Sequence, residues 1–329
     1  MDSVGIVIIG RNEGNRLKAC FESLHSVEVS IAYVDSGSTD NSLSIARQYT
    51  QHIVELDSDK PFSAARARNE GFEELIEEHL RIKYIQFIDG DCTLSPGWIE
   101  AAAHALNANP RLAAVTGHLL EKNPNHSVYN QLCAMEWKSP VGEITNFGAF
   151  GGISMIRASV LQEVGGFNPA VIAGEEPELA VRMSGAGYKI QKINHQMAVH
   201  DANIMHFSQW WKRAVREGHS IGHRVHLGGD SSAKDNVKEK KSVWFWGLIL
   251  PLIILVTLLP TKGWSLLLLA GYFVLAYRIL KYSLNQGDTL KEALLYARFL
   301  VLGKFANVVG LLKFYLRRKD AQFKIIEYK

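Results

Sequence analysis

Two carboxylates one residue apart stand at Asp89-Gly90-Asp91, directly behind the apolar run Tyr84–Ile88. On a tight turn, such a pair presents oxygens to a hard divalent cation. Mn2+ and Mg2+ typically bind a few carboxylates together with substrate phosphates, and so neutralise the charge that builds on a departing diphosphate. A second acidic cluster follows at Gly174-Glu175-Glu176-Pro177-Glu178. Carboxylates bunched in this way are commonly a solvated helix start, favoured by the helix dipole. Transfer to a hydroxyl nevertheless needs a carboxylate base near the reacting carbon, and this cluster is the best candidate in its half of the chain. Asp35 ends the apolar run Ile31–Val34, where a carboxylate accepts a hydrogen bond from a ring N–H of uracil or guanine. Thr39 and Asp40, just beyond it, read equally well as caps of the next helix.

These residues share a placement. Short apolar runs at Val4–Ile9, Ile31–Val34, His52–Leu56, Tyr84–Ile88, Ala113–Leu120, Gly151–Ile156 and Tyr188–Ile193 alternate with helix-length stretches at Arg16–His25, Ser42–Tyr49, Ala64–Leu80 and Trp98–Asn107. Continuous apolar strands separated by helices predict an α/β fold whose mostly parallel sheet is covered on both faces. Ligands of such sheets sit beyond the carboxyl ends of the strands. The turns Gly10-Arg11-Asn12-Glu13-Gly14, Asp35–Asp40 and Asp89-Gly90-Asp91 would therefore line one polar cleft. Neither a G-x-x-x-x-G-K-[ST] phosphate loop nor a G-x-G-x-x-G fingerprint is present.

With 36 Lys+Arg against 33 Asp+Glu, the net charge of +3 is too small to suggest a nucleic-acid partner. The three cysteines, Cys20, Cys92 and Cys133, are scattered and lack zinc-site spacing, so they read as reduced thiols. The N-terminus enters Val4–Ile9 at once, without a basic stretch or cleavage site, which predicts no signal peptide. Hydrophobicity then concentrates toward the C-terminus. Ser242–Thr261 holds 20 uncharged residues, and Gly263–Tyr277 another 15 beyond Lys262. The spacing predicts a catalytic body over 1–230, a transmembrane hairpin over 242–280, and an interfacial or membrane-associated helix with a basic tail over 290–329. Lysines 234, 238, 240 and 241 precede the hairpin, and Arg278 and Lys281 follow its second run. Lys262 alone marks the turn, so both ends are expected on the cytoplasmic side of a cell membrane.

Six segments in order, IIGRNEG, VDSGSTDNS, ARARNEG, FIDGD, GAFGGISMIRASVLQEVGGF and GEEPELAVRMSGAGY, make the chain from about Val4 to His226 resemble the family-2 glycosyltransferases. The resemblance implies the nucleotide-binding A-type glycosyltransferase fold and inverting transfer from a nucleoside-diphosphate sugar. It implies that Asn12, Glu13 and Asp35 hold base and ribose, and that Arg68-Asn69 lies near the diphosphate or sugar. Asp89 would contact the donor, and Asp91 would ligate Mn2+ or Mg2+, with Asp89 and His200 as further candidates; His206 competes with His200. Glu176 stands where the family commonly has an Asp as base, with Glu175 as the fallback. Gln209-Trp210-Trp211-Lys212-Arg213 is similar to the Q-x-x-R-W motif of processive synthases, but with Arg and Trp out of order; a single-transfer enzyme is expected, whose Arg213 or Lys212 meets a diphosphate or an acceptor phosphate. The bland reading of the same segment is an interfacial helix with Trp210 and Trp211 at headgroup level. The expected partners are a UDP- or GDP-sugar, a lipid-linked or glycan acceptor and membrane lipids, with no nucleic acid. The alternatives are a sugar nucleotidyltransferase and a non-catalytic membrane scaffold of the same fold.

Overall fold

The computed structural model describes residues 3–25, 27–78, 81–171, 173–228 and 234–317. The basic tail beyond Arg317 lies outside the described residues. The chain divides into two compact units, Met1–Asn123 with Glu136–Asn203, and Pro124–Met135 with Ile204–Lys329.

The first unit is built on one sheet. Its strands are β1 (Val4–Gly10), β2 (Ser30–Asp35), β3 (His52–Glu55), β4 (Tyr84–Asp89), β5 (Cys92–Leu94), β6 (Leu112–Glu121), β7 (Gly142–Glu143), β8 (Ser154–Arg157) and β9 (Lys189–His200). They lie in the order β3-β2-β1-β4-β8-β6-β9-β5, with β7 also on β9. The helices are α1 (Asn15–Glu22), α2 (Ser42–Ala46), α3 (Ala64–Glu78), α4 (Trp98–Ala108), α6 (Ala158–Glu163) and α7 (Glu175–Gly185); α5 (Val128–Glu136) passes almost wholly to the second unit.

Strand residues alternate between two apolar cores, which is why the runs lack polar positions. Ile6 and Ile8 join Leu17 and Phe21 of α1 and Trp98 and Ile99 of α4 on one face. Val7 and Ile9 join Phe72 and Leu75 of α3 and Leu179 and Met183 of α7 on the other. The sheet is parallel through β3-β2-β1-β4, as the alternation of runs and helices implies. Beyond β4 it is mixed, since β8 is antiparallel to both β4 and β6, and β5 and β7 are antiparallel to β9. The expectation of a mostly parallel sheet thus holds for its first half, where helices connect consecutive strands. The N-terminal register puts Gly10 beside Asp35 and Ile9 beside Asp89, so these carboxyl ends share one edge.

The second unit is helical: α8 (Phe207–Gly228), α9 (Lys234–Trp244), α10 (Leu250–Thr257), α11 (Ala270–Asn285) and α12 (Leu290–Arg317). Residues 204–228 belong here, although they fall inside the 1–230 segment. Among the described residues, three helical stretches are long and apolar enough to cross a membrane: Val237–Thr257, Trp264–Asn285 and Leu290–Leu316. Leu255, Val256, Leu259, Trp264 and Phe273 are all at least two-thirds exposed, the pattern of side chains that face lipid rather than a protein core. Helices α8 and α12 lie almost backbone to backbone. A methyl on Gly218 would run into the Asn307 carbonyl, and one on Gly310 into that of Val215. His219 and His223 of α8 pack around Phe314 of α12, with ring centroids 5.4 and 5.5 Å apart.

Candidate active site

The site lies in the first unit, at the carboxyl edge of the sheet, and its hub is Arg68. The side chain is 2% exposed and reaches from α3 to three carboxylates. Its Nη1 is 2.8 Å from Glu175 Oε1 and 3.1 Å from Glu176 Oε1, while Nη2 donates to Asp89 Oδ1 at 3.1 Å. The guanidinium also sits over the Phe167 ring, 5.5 Å from its centroid. Burial alone would make it a weaker base, but the carboxylates of Glu176, Asp89 and Glu175 together outweigh burial and hold it charged. Only a planar fork of donors spans three acceptors in this way. The Gly152 backbone presses against the cluster: a methyl there would overlap Arg68 Nη2 and stand 2.9 Å from Glu176 Oε1.

Glu175 and Glu176 open α7. Glu175 is buried against Arg68, whereas Glu176 keeps 15% of its side chain exposed. Burial raises the Glu176 carboxyl to about 7; the neighbouring Glu175 charge adds to this, and Arg68 opposes it. A carboxyl poised there exchanges a proton near neutral pH, as a general base must.

Asp91 and His200 are brought together by the sheet. His200 closes β9, where its cross-strand neighbour on β5 is Cys92 and its neighbour on β6 is Glu121. Its Nε2 is 3.4 Å from Asp91 Oδ2, and the Trp137 ring meets it edge-on at 4.7 Å. Asp91, Cys92 and His200 offer ligand atoms all within 4.8 Å of one another. A carboxylate with an imidazole suits Mn2+. Burial, with Asp89 second, pushes the Cys92 thiol well up. It therefore stays protonated and donates to Asp91 Oδ1 at 3.3 Å, a poor ligand for a hard cation. Asp89, separated from Asp91 in the chain by Gly90 alone, turns one oxygen to Arg68.

The turns after β1 and β2 are stitched together. Asn12 Oδ1 accepts from Thr39 N at 2.7 Å, and Ser38 Oγ accepts from Asn12 N at 2.9 Å. Asp35 accepts from Gly37 N, Ser38 N and the Tyr33 hydroxyl. Glu13 pairs with Arg16 at 2.8 Å. Asp40, one position before the N-cap residue Asn41, accepts from Ser42 N, the first N–H of α2, at 3.0 Å. Arg11 lies over Phe62, 5.7 Å from the ring centroid. Asn69, next to Arg68 on α3, hydrogen-bonds within the fold. Its amide donates to Phe167 O at 2.7 Å and accepts from Phe167 N at 2.8 Å, which fixes the ring under Arg68. Arg213 lies on α8; His206 immediately precedes that helix, and both belong to the second unit.

Sequence reasoning passed over Glu121, Cys92 and Trp137. Glu121 ends an apolar run, Ala113–Leu120, and so carried the same signal that singled out Asp35 and Asp89.

Residues 5–165 match the family model described as glycosyl transferase family 2. Glycosyltransferase AglE of Haloferax volcanii is 24% identical over 227 residues, which cover 65% of this chain and 71% of that protein. The mannosyltransferase PcManGT from Pyrobaculum calidifontis, solved in complex with GDP-Man and Mn2+, superposes with a TM-score of 0.56 at 16% identity, covering 95% of this chain and 87% of that one. S. aureus TarS 1-349 gives 0.51 at 14% identity, covering 99% and 95%, and the chain spans 39% of a longer TarS.

Proposed function

From a chain that carries a family-2 glycosyltransferase domain on an A-type glycosyltransferase fold, we propose inverting, divalent-cation-dependent transfer of a sugar from a UDP- or GDP-sugar. The acceptor is a hydroxyl or phosphate of a lipid-linked or glycan molecule. The observation that carries this reading is the tie from Glu176, with its carboxyl raised to about 7, through Arg68 to Asp89. One rigid group thereby relates a proton acceptor to the strand end that precedes Asp91.

In this reading Glu176 takes the proton of the acceptor oxygen as that oxygen attacks the anomeric carbon. The bond to the diphosphate breaks on the opposite side, so configuration inverts. Glu175 anchors Arg68 and keeps Glu176 in place, and Asn69 holds Phe167 beneath the guanidinium. The stitched turns bearing Asn12, Glu13 and Asp35 receive base and ribose, with Asp35 shaping its turn through three accepted hydrogen bonds. Asp89 faces the donor sugar. Asp91 and His200 would hold the cation, which supplies charge neutralisation for the leaving diphosphate. The Mn2+ and GDP-Man bound by PcManGT favour this donor class and metal. Arg213 is assigned a phosphate of the diphosphate or acceptor.

The membrane arrangement follows from the second unit. Val237–Thr257 and Trp264–Asn285 form a spanning hairpin turning at Lys262. Helix α12 lies at the surface instead, because α8, packed along it, carries Lys212, Arg213, Arg216, Glu217 and Arg224. Hydrocarbon does not hold that many charges. The catalytic body then faces the cytosol, where nucleotide sugars are available, and membrane lipids flank the hairpin.

The test is a screen of purified full-length protein against UDP- and GDP-sugars with Mn2+, followed by NMR of the released or transferred sugar. Hydrolysis of one sugar nucleotide class with inversion of the anomeric centre is expected. Retained configuration would overturn the mechanism, and no turnover of any donor would overturn the reading.

A further inference from the structure

His200 lies between two acids. Its Nε2 faces Asp91 Oδ2 at 3.4 Å, and its Nδ1 faces Glu121 Oε2 at 3.9 Å. The Glu121 side chain is 0% exposed. Backbone fixes it from both sides: Oε1 accepts from Asn123 N and Oε2 from Ala202 N, each at 3.2 Å. The sheet register enforces the arrangement, because Glu121 and His200 are paired neighbours where β6 and β9 end. His200 Nδ1 is buried and has no hydrogen-bond partner among the described residues, although the nearest acceptor stands only slightly beyond bonding range. Trp137 closes the ring's open side.

A neutral imidazole carries one proton, and the nitrogen that keeps it cannot ligate a cation. With carboxylates on both sides, the ring's tautomer is open until one side claims the N–H. We propose that Glu121 claims it. Glu121 is a positioning residue that accepts Nδ1–H of His200 and so commits the Nε2 lone pair to a divalent cation shared with Asp91. A small rotation of the ring toward Glu121 completes the bond and widens the space at Nε2 for an ion. Outer carboxylates of this kind orient metal-bound histidines, and their loss costs about 10–100-fold in metal affinity. The inference rests on the reading of Asp91 and His200 as metal ligands. It adds a residue that touches neither metal nor substrate.

Mn2+ binding to the full-length protein in detergent, followed by the EPR signal of free Mn2+ with no sugar nucleotide present, tests it. Glu121→Gln keeps the size and one accepting oxygen but loses the charge. Its Mn2+ affinity should fall about 10–100-fold. In a His200→Ala background the same substitution should change little, because the partner through which it acts is gone. Three results would overturn the proposal: a folded Glu121→Gln protein with wild-type Mn2+ affinity, an equal loss in the presence and absence of His200, or an Nε2-protonated ring in the wild type. Side-chain 15N NMR of labelled histidine at pH 8, with His200→Ala identifying the signal, reads that tautomer even if Glu121→Gln does not fold. If His200→Ala alone leaves Mn2+ binding intact, the metal assignment of His200 fails, and that outcome is separable from the others.

Discussion

Replacing Arg68 with Met removes the guanidinium but nearly keeps its buried volume. Three carboxylates within 3.1 Å then lose their common counter-ion. Stripping one partner from a buried ion cluster costs about 3–5 kcal/mol. At roughly 2–4 °C per kcal/mol for a body of this size, the melting point should fall by about 6–20 °C at pH 8. The loss has a sign in pH. Glu176 is already raised from 4.5 to about 7 in the folded chain. A carboxyl raised on folding binds more protons folded than unfolded, so its stabilising contribution is present below pH 4.5 and is lost as pH rises through about 7. Without Arg68, which opposes the rise, the carboxyl moves higher still. The deficit should therefore shrink at pH 6, where protonation discharges the cluster. In the wild type, kcat should drop about tenfold for each pH unit below about 7, and in Arg68→Met this limb should move to more alkaline pH. Melting curves at pH 6 and 8 with a kcat profile suffice. A variant as stable as wild type at pH 8, with its kinetic limb unmoved, would refute the role of Arg68.

Glu176→Gln removes the proton acceptor at constant shape, so kcat should fall about 100–10,000-fold while donor affinity by calorimetry stays near wild type. Gly152→Ala forces a methyl into the Arg68–Glu176 pair, and a stability loss of about 1–3 kcal/mol with reduced kcat should show in melts and steady-state rates. Chelation should abolish transfer and added Mn2+ should restore it, while Asp91→Asn should weaken Mn2+ binding by EPR without lowering the melting point. Cysteines at Lys262 and Asp288 test the hairpin: an impermeant reagent on intact cells should label the first and not the second.

The rule that chemistry follows an apolar run led directly to Asp35, Asp89 and Asp91, because continuously buried strands leave their polar residues at the ends. It reached His200 only with the help of the family resemblance, and it failed for the neighbours Glu121, Cys92 and Trp137. The second half of β9, Asn194–Val199, mixes polar and apolar residues along the mixed part of the sheet, so only Tyr188–Ile193 stood out. At three residues, β5 is too short for any period to show. The role of Arg68 was not legible either. Arg66 and Arg68 share one helix, yet Arg66 pairs with Glu70 one turn further along while Arg68 turns inward to three acids. Pairings made across a hundred residues leave no local mark. The same limit applies to α12, whose apolar length gives no sign of its close contact with α8.

The backbone contact between α8 and α12 has a consequence in time. During synthesis α8 leaves the ribosome well ahead of the helix that covers its glycine face. About 90 residues separate the end of α8 from the end of α12, a delay of about 4–18 s at roughly 5–20 residues per second. Through that interval Gly218, Gly222 and the rings of His219 and His223 wait uncovered, while the two apolar runs between α8 and α12 are made. The chain between them thus acts as the loop of a clasp, because its folding back is what delivers α12 to α8. A chain stalled just after Asn285 would hold both apolar runs but lack its clasp.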